Sequence, residues 1–228
     1  GRFTGTPAPG ARTVTLPGGW VVTPGLVGVQ VNGYAGREVD EPGALDGIAR
    51  ALARDGVVAF CPTLVSRPLH AYPDAVAHMS DAAPGDAVGG AIAAGVHLEG
   101  PFLSPARPGA HDPAALIAPD SHATRAMVEF APAIVTLAPE LPGALEAVVA
   151  LRASGAVVAI GHTECDAATV DAAATRGARL VTHAFNAMPG ITAREASPLA
   201  SALQDERLYV SLIADGHHRY ETARAYRD

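Results

Sequence analysis

The sequence predicts an α/β fold, a (β/α)8 barrel of the TIM type truncated after about seven strands. Apolar, strand-like runs alternate with alanine-rich, helix-like stretches, which is typical of βα units around a parallel sheet. A carboxylate or a histidine ends three of these strands, at Glu99, His162 and His183. Catalytic residues of such barrels lie at the carboxyl ends of the strands, so the pattern favours a barrel of the metal-dependent hydrolase kind.

Seven runs along the chain have the length and apolar character of strands. They are residues 27–31, 57–62, 92–98, 134–137, 157–160, 179–182 and 208–213. The helical stretches between them include residues 42–54, 142–154 and 167–176. Gly56, Gly155 and Gly177 each follow a helical stretch and precede a strand, which is where a C-cap glycine belongs.

The beginning of the chain has a different pattern. We interpret residues 1–23 as a remnant of a small β domain and residues 24–228 as an incomplete catalytic barrel. Around the turn Pro17-Gly18-Gly19 we expect two short strands and no helix. Because a closed barrel requires eight strands, we expect residues to be missing at both ends.

The composition excludes several classes of protein. A net charge of −7 provides no basic footprint for nucleic acid. No apolar run reaches the roughly 18 residues that a membrane span needs, so no membrane partner is expected. Cys61 and Cys165 are too few and too far apart for a disulfide framework, which favours the cytoplasm. All 16 basic residues are arginine, so chemistry that uses a lysine is excluded within these residues.

The three strand-end residues form a candidate metal site. Zinc and ferrous iron both accept carboxylate and imidazole ligands, and three protein ligands with an open position are typical of a catalytic site that activates water. We predict one divalent metal on Glu99, His162 and His183, with zinc the first choice and ferrous iron the alternative. His97 shares a strand face with Glu99 and is expected to support the ligands. Cys165 is interpreted as a packing residue.

The first strand carries two amides where many metal-dependent hydrolases carry a pair of histidines. Gln30 and Asn32 lie on one face of that strand, at the spacing of a paired-ligand motif. Neutral amides are poor zinc ligands, so we expect no second metal here. The two amides either hydrogen-bond water or substrate, or simply cap the end of the strand.

Several segments together resemble one family. They are residues 24–33, His97-Leu-Glu-Gly-Pro-Phe102, Gly109-Ala-His111, Gly161-His162, Thr182-His-Ala-Phe-Asn-Ala-Met188 and Ile213-Ala-Asp-Gly-His-His218. In their order and spacing these segments are similar to the N-acetylglucosamine-6-phosphate deacetylases of the amidohydrolase superfamily. The resemblance extends over nearly the whole chain, and the motifs that contain His97 and His183 are the most specific.

The resemblance also implies the roles of individual residues. Glu99, His162 and His183 match the metal ligands of the family. The positions that match its substrate contacts are Ala110, His111, Asn186, Ala187, Arg194 and His218. An arginine with its forked donors suits the phosphate of an amino-sugar phosphate. Family membership further implies a homodimer.

The reaction implied is hydrolysis of the acetamide of N-acetylglucosamine 6-phosphate to glucosamine 6-phosphate and acetate. In the family the general base is an aspartate at the end of the eighth strand, which would lie beyond Asp228. A polypeptide that ends at Asp228 is therefore expected to be inactive. Asp215 matches a different family position and is not predicted to be the base.

Three alternatives remain open from the sequence. The first is a sister hydrolase, above all a deacetylase of N-acetylgalactosamine 6-phosphate. The second is a non-catalytic protein that binds a sugar phosphate. The third is a barrel whose histidines are structural, and such a protein would bind no metal.

Overall fold

The computed structural model describes residue 10 and residues 14–20, 22–80, 89–191 and 197–213. Arg194, Asp215 and His218 lie outside these residues. Among the residues described, no helix has the length and apolar character that crossing a membrane requires.

A curled sheet of parallel strands forms the centre of the molecule. The order of its strands is β1-β4-β6-β7-β8-β9-β10, with β5 beside β4, and β2 pairs with β3 in a separate hairpin. The strands are β1 (Leu26–Val31), β2 (Gly33–Tyr34), β3 (Arg37–Glu38), β4 (Val57–Leu64), β5 (Ile92–Ala93), β6 (His97–Glu99), β7 (Ile134–Leu137), β8 (Val157–Ile160), β9 (Ala178–Val181) and β10 (Tyr209–Val210). Neighbours in space are neighbours in sequence, as in half of a TIM barrel, which confirms the predicted fold class.

One predicted strand, over residues 92–98, is interrupted. Its first part, β5, pairs with the middle of β4, whereas β6 pairs with the end of β4 at Thr63 and Leu64. Gly95 lies between the two parts with a φ of 117°, a conformation that glycine adopts without a steric penalty. The last strand is also shorter than predicted, although the amide of Ser211 still donates to Val181 O over 2.9 Å.

Helices cover the outer face of the sheet. They are α1 (Ala44–Arg54), α2 (Tyr72–Ser80), α3 (Ser121–Glu129), α4 (Ala144–Ala153), α5 (Ala167–Arg176) and α6 (Pro198–Gln204), with 3₁₀ turns at Leu69–Ala71 and Pro113–Ala115. α1 and α4 begin two residues later than predicted, because Gly43 and Gly143 precede them with φ of 72° and 83°. Gly56, Gly155 and Gly177 have positive φ after their helices, as predicted for C-caps.

The start of the chain departs from the expected hairpin. Trp20 N donates to Pro17 O over 3.3 Å, which confirms the turn, but no strand is assigned among residues 14–20 and 22–25. Val14 and Trp20 are exposed there, and a two-stranded hairpin without a packed apolar face has little stability. The assignment of residues 1–23 to a small β domain stays a prediction.

The inner face of the sheet is built in layers. Cys61, Ile134, Ala159 and Leu180 come from four different strands and form a small buried apolar cluster. Side chains alternate between the two faces of a strand. In each of these strands, the next inward-facing residue toward the carboxyl end is therefore two positions later in the sequence. The residues that follow in this direction are three threonines and a glycine, Thr63, Thr136, Thr182 and Gly161, and they lead to the candidate site.

Candidate metal centre

Glu99, His162 and His183 converge at the carboxyl ends of β6, β8 and β9. Glu99 Oε1 lies 3.2 Å from His162 Nε2 and 3.0 Å from His183 Nε2. The two imidazole Nε2 atoms are 3.0 Å apart. One ligand atom from each residue therefore points to a common centre, which is the arrangement a single metal ion needs.

The cluster is shielded from water, and its charge is compensated locally. Its three residues are only 3–8% exposed. Burial alone would raise the pKa of Glu99, but the contacts of its carboxylate with the imidazoles of His111, His162 and His183 outweigh this effect and hold that pKa well below 4.5. The carboxylate is thus kept ionised, the form in which it binds a cation.

His162 is held by the loop after β6. Its Nδ1 donates to Arg107 O over 2.9 Å, and its own carbonyl accepts from Ser104 N at 2.9 Å. Because a carbonyl oxygen can only accept, the proton of a neutral His162 is on Nδ1 and the Nε2 lone pair faces the cluster. Gly109 packs against this imidazole, and a Cβ there would approach Cε1 to 2.9 Å.

His183 is held through its backbone. Its amide donates to Ser211 Oγ over 2.9 Å, and the amide of Ala184 donates to Ser211 O over 2.8 Å. Its Nδ1 is buried and has no hydrogen-bond partner among the residues described. Both His183 and His162 have positive φ, 33° and 49°, a strained conformation of the kind that collects at functional sites.

The donor set fits a divalent metal. It contains one carboxylate and two imidazoles, it is buried, and the Nε2 atom of His162 is free to act as a ligand. These residues could hold zinc or ferrous iron, and the geometry does not distinguish between the two.

His111 lies against the same carboxylate. Its Nε2 is 3.4 Å from Glu99 Oε2, and its Nδ1 accepts from the amide of Ser66 at 3.0 Å. Since Nδ1 accepts, Nε2 is the protonated nitrogen in the neutral imidazole and donates into the cluster. The neighbouring Ala110 is exposed at the edge of the site.

The loop after β9 carries two of the predicted substrate contacts. The side-chain amide of Asn186 donates to the carbonyls of His183 and Ala184, at 3.1 and 3.3 Å. Ala187 O accepts from the amide of Thr163 at 3.0 Å, which ties this loop to the one that carries His162. Both residues are thus beside the cluster, where they also hold its ligands.

The amides of the first strand have different surroundings. Asn32 Nδ2 donates to Thr63 O over 3.2 Å, so this side chain joins the ends of β1 and β4. Gln30 is half-buried and makes no side-chain hydrogen bond among the residues described. A role for either amide in binding substrate stays a prediction.

The remaining cysteine and histidines of the described part are accounted for outside the cluster. Cys165 lines a small apolar cavity with Val170 and Leu199, and burial raises the pKa of its thiol to about 12, which disfavours the thiolate that a metal requires. The histidines outside the site, His70, His78 and His122, are exposed.

Several residues that support the cluster were not recognised from the sequence. Ser66, Ser211, Thr136 and Thr182 are all buried or partly buried, and all hydrogen-bond a histidine or its immediate support. The position of Thr136 and Thr182 near the carboxyl ends of apolar strands was the only local signal available.

A parallel half-barrel with a buried carboxylate and two histidines at its strand ends is typical of metal-dependent barrel hydrolases. No family model matches the chain. Among curated proteins, N-acetylglucosamine-6-phosphate deacetylase of Bos taurus is 35% identical over 88% of this chain and 52% of its own length. N-acetylgalactosamine-6-phosphate deacetylase of Escherichia coli O157:H7 is 33% identical over 89% of this chain and 55% of its own.

The solved structures agree with these relatives. A mutant N-acetyl-D-glucosamine-6-phosphate deacetylase of Mycobacterium smegmatis, in complex with N-acetyl-D-glucosamine-6-phosphate, is 32% identical, with a TM-score of 0.72 over 86% of this chain and 51% of that one. These relatives and solved structures confirm the resemblance to N-acetylglucosamine-6-phosphate deacetylases that the motifs indicated. The chain spans about half the length of the curated relatives it matches.

Proposed function

We propose that the protein hydrolyses the acetamide of N-acetylglucosamine 6-phosphate to glucosamine 6-phosphate and acetate. The observation that carries this proposal is the convergence of Glu99, His162 and His183, in a chain whose relatives are named for this reaction. A buried, ionised carboxylate beside two imidazoles offers the ligands that a hydrolytic metal requires.

In this proposal Glu99, His162 and His183 hold one divalent metal, with zinc the first choice and ferrous iron the alternative. When bound, a metal of this kind supplies Lewis-acid chemistry at neutral pH. The protein contributes a fixed arrangement of ligands, because Arg107 O orients the imidazole of His162 and Ser211 Oγ holds the backbone of His183. Metal analysis of the purified protein tests this part by itself.

The substrate would lie over the cluster, between the loops that follow β6 and β9. His111 presents an Nε2–H donor beside Glu99, suited to an oxygen atom of the sugar or of its acetyl group. Ala110, Asn186 and Ala187 line the same region. Arg194 and His218, which lie outside the residues described, are proposed on the resemblance alone to complete the contacts, with arginine at the phosphate.

The decisive experiment is acetate release from N-acetylglucosamine 6-phosphate by the full-length protein loaded with zinc. Turnover that is lost in Glu99→Gln, but retained in Glu146→Gln on the exposed face of α4, would support the proposal. Folded protein that contains metal and releases no acetate would contradict it. Such a protein would instead be a sugar-phosphate binding protein.

N-acetylgalactosamine 6-phosphate is the second candidate substrate. A deacetylase named for this sugar is 33% identical to the chain, almost as similar as the deacetylase named for the glucosamine sugar. The two sugars differ only in the configuration at C4, so the same assay with both measures the preference directly. A higher kcat/KM for the galactosamine sugar would reverse the assignment.

Two further properties are proposed, the first on the resemblance and the second on the small number of cysteines. The protein is expected to form a homodimer, which sedimentation at several concentrations tests. It is also expected to work in the cytoplasm, which location of the tagged full-length protein in its own cells tests.

A further inference from the structure

A chain of hydrogen bonds crosses the sheet directly beneath the three candidate ligands. Thr182 Oγ1 lies 2.7 Å from Thr136 Oγ1, which lies 2.8 Å from His97 Nε2. His97 Nδ1 in turn lies 2.8 Å from the carbonyl oxygen of Val29. These hydrogen bonds therefore join β9, β7 and β6 to β1. We refer to Thr182, Thr136 and His97 as the polar layer.

The direction of every hydrogen bond in the polar layer follows from its last acceptor. The carbonyl of Val29 can only accept, so a neutral His97 carries its proton on Nδ1 and must accept at Nε2. Thr136 therefore donates its only hydroxyl proton to His97 and is left to accept from Thr182.

Side-chain hydrogen bonds reach the first strand at the point where its backbone pairing with β4 is irregular. The pairing of β1 with β4 is irregular between Gly28 and Val31, which is the stretch that contains Val29. His97 supplies a donor to Val29 O, and the hydroxyl of Thr63 accepts from Val31 N over 3.0 Å. Side chains thus replace the backbone ladder at this point.

Gly161 makes room for the two threonines. A Cβ on Gly161 would lie 2.8 Å from Thr136 Cγ2 and 3.1 Å from Thr182 Cβ, so a larger residue would force the pair apart. Its φ is not in the left-handed region, so close approach rather than backbone conformation explains the glycine at this position.

Each part of this arrangement is next to a candidate ligand in sequence. Thr182 immediately precedes His183, Gly161 immediately precedes His162, and His97 is two residues before Glu99 on the same strand face. A shift in any one of these contacts therefore changes the distance between two ligand atoms. All the hydroxyl and imidazole groups of the layer are buried, so water does not replace a lost hydrogen bond.

We propose that the polar layer positions the metal ligands, with Thr136 as its central residue. The hydroxyl of Thr136 makes no hydrogen bond to a candidate ligand, so its role is to hold β6, β7 and β9 in the register that brings Glu99 and His183 together. The proposal rests on the metal centre proposed above and does not depend on the identity of the substrate. Its central residue, Thr136, lies in the sheet interior and belongs to none of the motifs that carry the deacetylase resemblance.

The test compares Thr136→Val, which keeps the shape but removes the hydroxyl, with Thr136→Ser, which keeps the hydroxyl. In the full-length protein, zinc affinity is measured by competition with a chromophoric chelator, and the d–d spectrum of the cobalt form is recorded. Removal of an outer-shell partner typically weakens metal binding about 10–100-fold, and we expect a loss in this range for the valine variant. The serine variant should bind zinc nearly as well as the wild type.

Thr124→Val is the matched control, because Thr124 is a buried threonine in α3, remote from the cluster in sequence and fold. It should leave zinc affinity unchanged. Thr182→Val provides a second variant in case Thr136→Val does not fold. Thr182 donates to Thr136, so removal of the Thr182 hydroxyl leaves Thr136 Oγ1 without this donor but keeps the hydrogen bond from Thr136 to His97. Thr182→Val should therefore weaken zinc binding less than Thr136→Val does.

A readout that needs no metal completes the test. Nitrogen NMR of the metal-free protein should show His97 protonated on Nδ1 in the wild type, with a changed Nε2 shift in Thr136→Val. Wild-type zinc affinity in Thr136→Val, or an equal loss in Thr124→Val, would overturn the proposal. A wild type that binds no zinc would overturn the metal centre with it, whereas zinc binding without acetate release would contradict only the proposed function.

Discussion

Two parts of the same sheet edge are held in place by different means. At the ends of β8 and β9, the regular backbone ladder continues into the site: Gly161 N donates to Leu137 O over 3.1 Å and Thr182 N donates to Ile160 O over 2.9 Å. At the end of β1 the ladder is irregular, and the side chains of His97 and Thr63 take the place of backbone donors and acceptors.

The difference shows how each part could be recognised. Where the ladder is regular, residues that follow different strands must meet, so the ligand set could be predicted from where the strands end. Where side chains replace the ladder, the role of a residue depends on partners that are distant in sequence. Asn32 illustrates this, because its side-chain amide donates to Thr63 O. The sequence alone could not separate a role in binding substrate from this structural role.

The largest expected effect is the loss of metal binding in Glu99→Gln. An uncharged amide is a poor ligand for zinc, and changes outside the ligand shell already weaken binding about 10–100-fold. We therefore expect zinc affinity to fall by more than about 100-fold, with acetate release lost in parallel. Zinc competition in the full-length protein measures this, with Glu146→Gln as control. Retention of zinc by Glu99→Gln would show that the cluster of Glu99, His162 and His183 is not the metal site.

The next effect is the response of the metal-free protein to acid. The pKa of Glu99 is held well below its ordinary value of 4.5, so its ionisation stabilises the fold above pH 4.5. This stabilisation is lost as the pH falls through the lower pKa of the folded state. The free energy of unfolding from denaturant titrations should therefore fall more steeply with pH below 4.5 in the wild type than in Glu99→Gln. Equal slopes would mean that Glu99 is not the group responsible.

A smaller effect is expected from Gly161→Ala, which tests the close packing behind the ladder. The added methyl group would lie 2.8 Å from Thr136 Cγ2, and overpacking of this kind costs about 1–3 kcal/mol. Gly190→Ala is the control, since a Cβ at Gly190 meets nothing within 4 Å. The free energy of unfolding is again the measurement. If Gly161→Ala leaves the free energy of unfolding unchanged, the two threonines move apart easily. That result would also count against the role proposed for the polar layer.

The smallest expected effect is at the irregular part of the edge. Asn32→Ala removes one partly buried hydrogen bond to Thr63 O, worth about 0.5–1.5 kcal/mol, and should leave zinc affinity unchanged. Gln30→Ala is the comparison on the same strand and should cost less, because Gln30 makes no such bond among the residues described. A large loss of zinc affinity in Asn32→Ala would show that the end of β1 also supports the metal centre. The distinction between this region and the ends of β8 and β9 would then be wrong.

The sequence by itself determined the parallel α/β architecture and the three ligands of the candidate metal centre. Both depend on local patterns, namely the alternation of strand and helix and the polar residue at the end of an apolar run. The interruption at Gly95 was missed because residues 92–98 have the length and apolar character of a continuous strand. Only the pairing of this segment with two different parts of β4 reveals the break.

Only the tertiary structure decided what holds the ligands. The hydrogen bond of His97 to Val29 O joins residues 68 positions apart, and that between Thr136 and Thr182 joins residues 46 apart. Alternation along a strand predicts which face a side chain occupies, but the atom it meets depends on the register between strands that are distant in sequence. That register follows from the packing of the whole sheet, so no local pattern contains it.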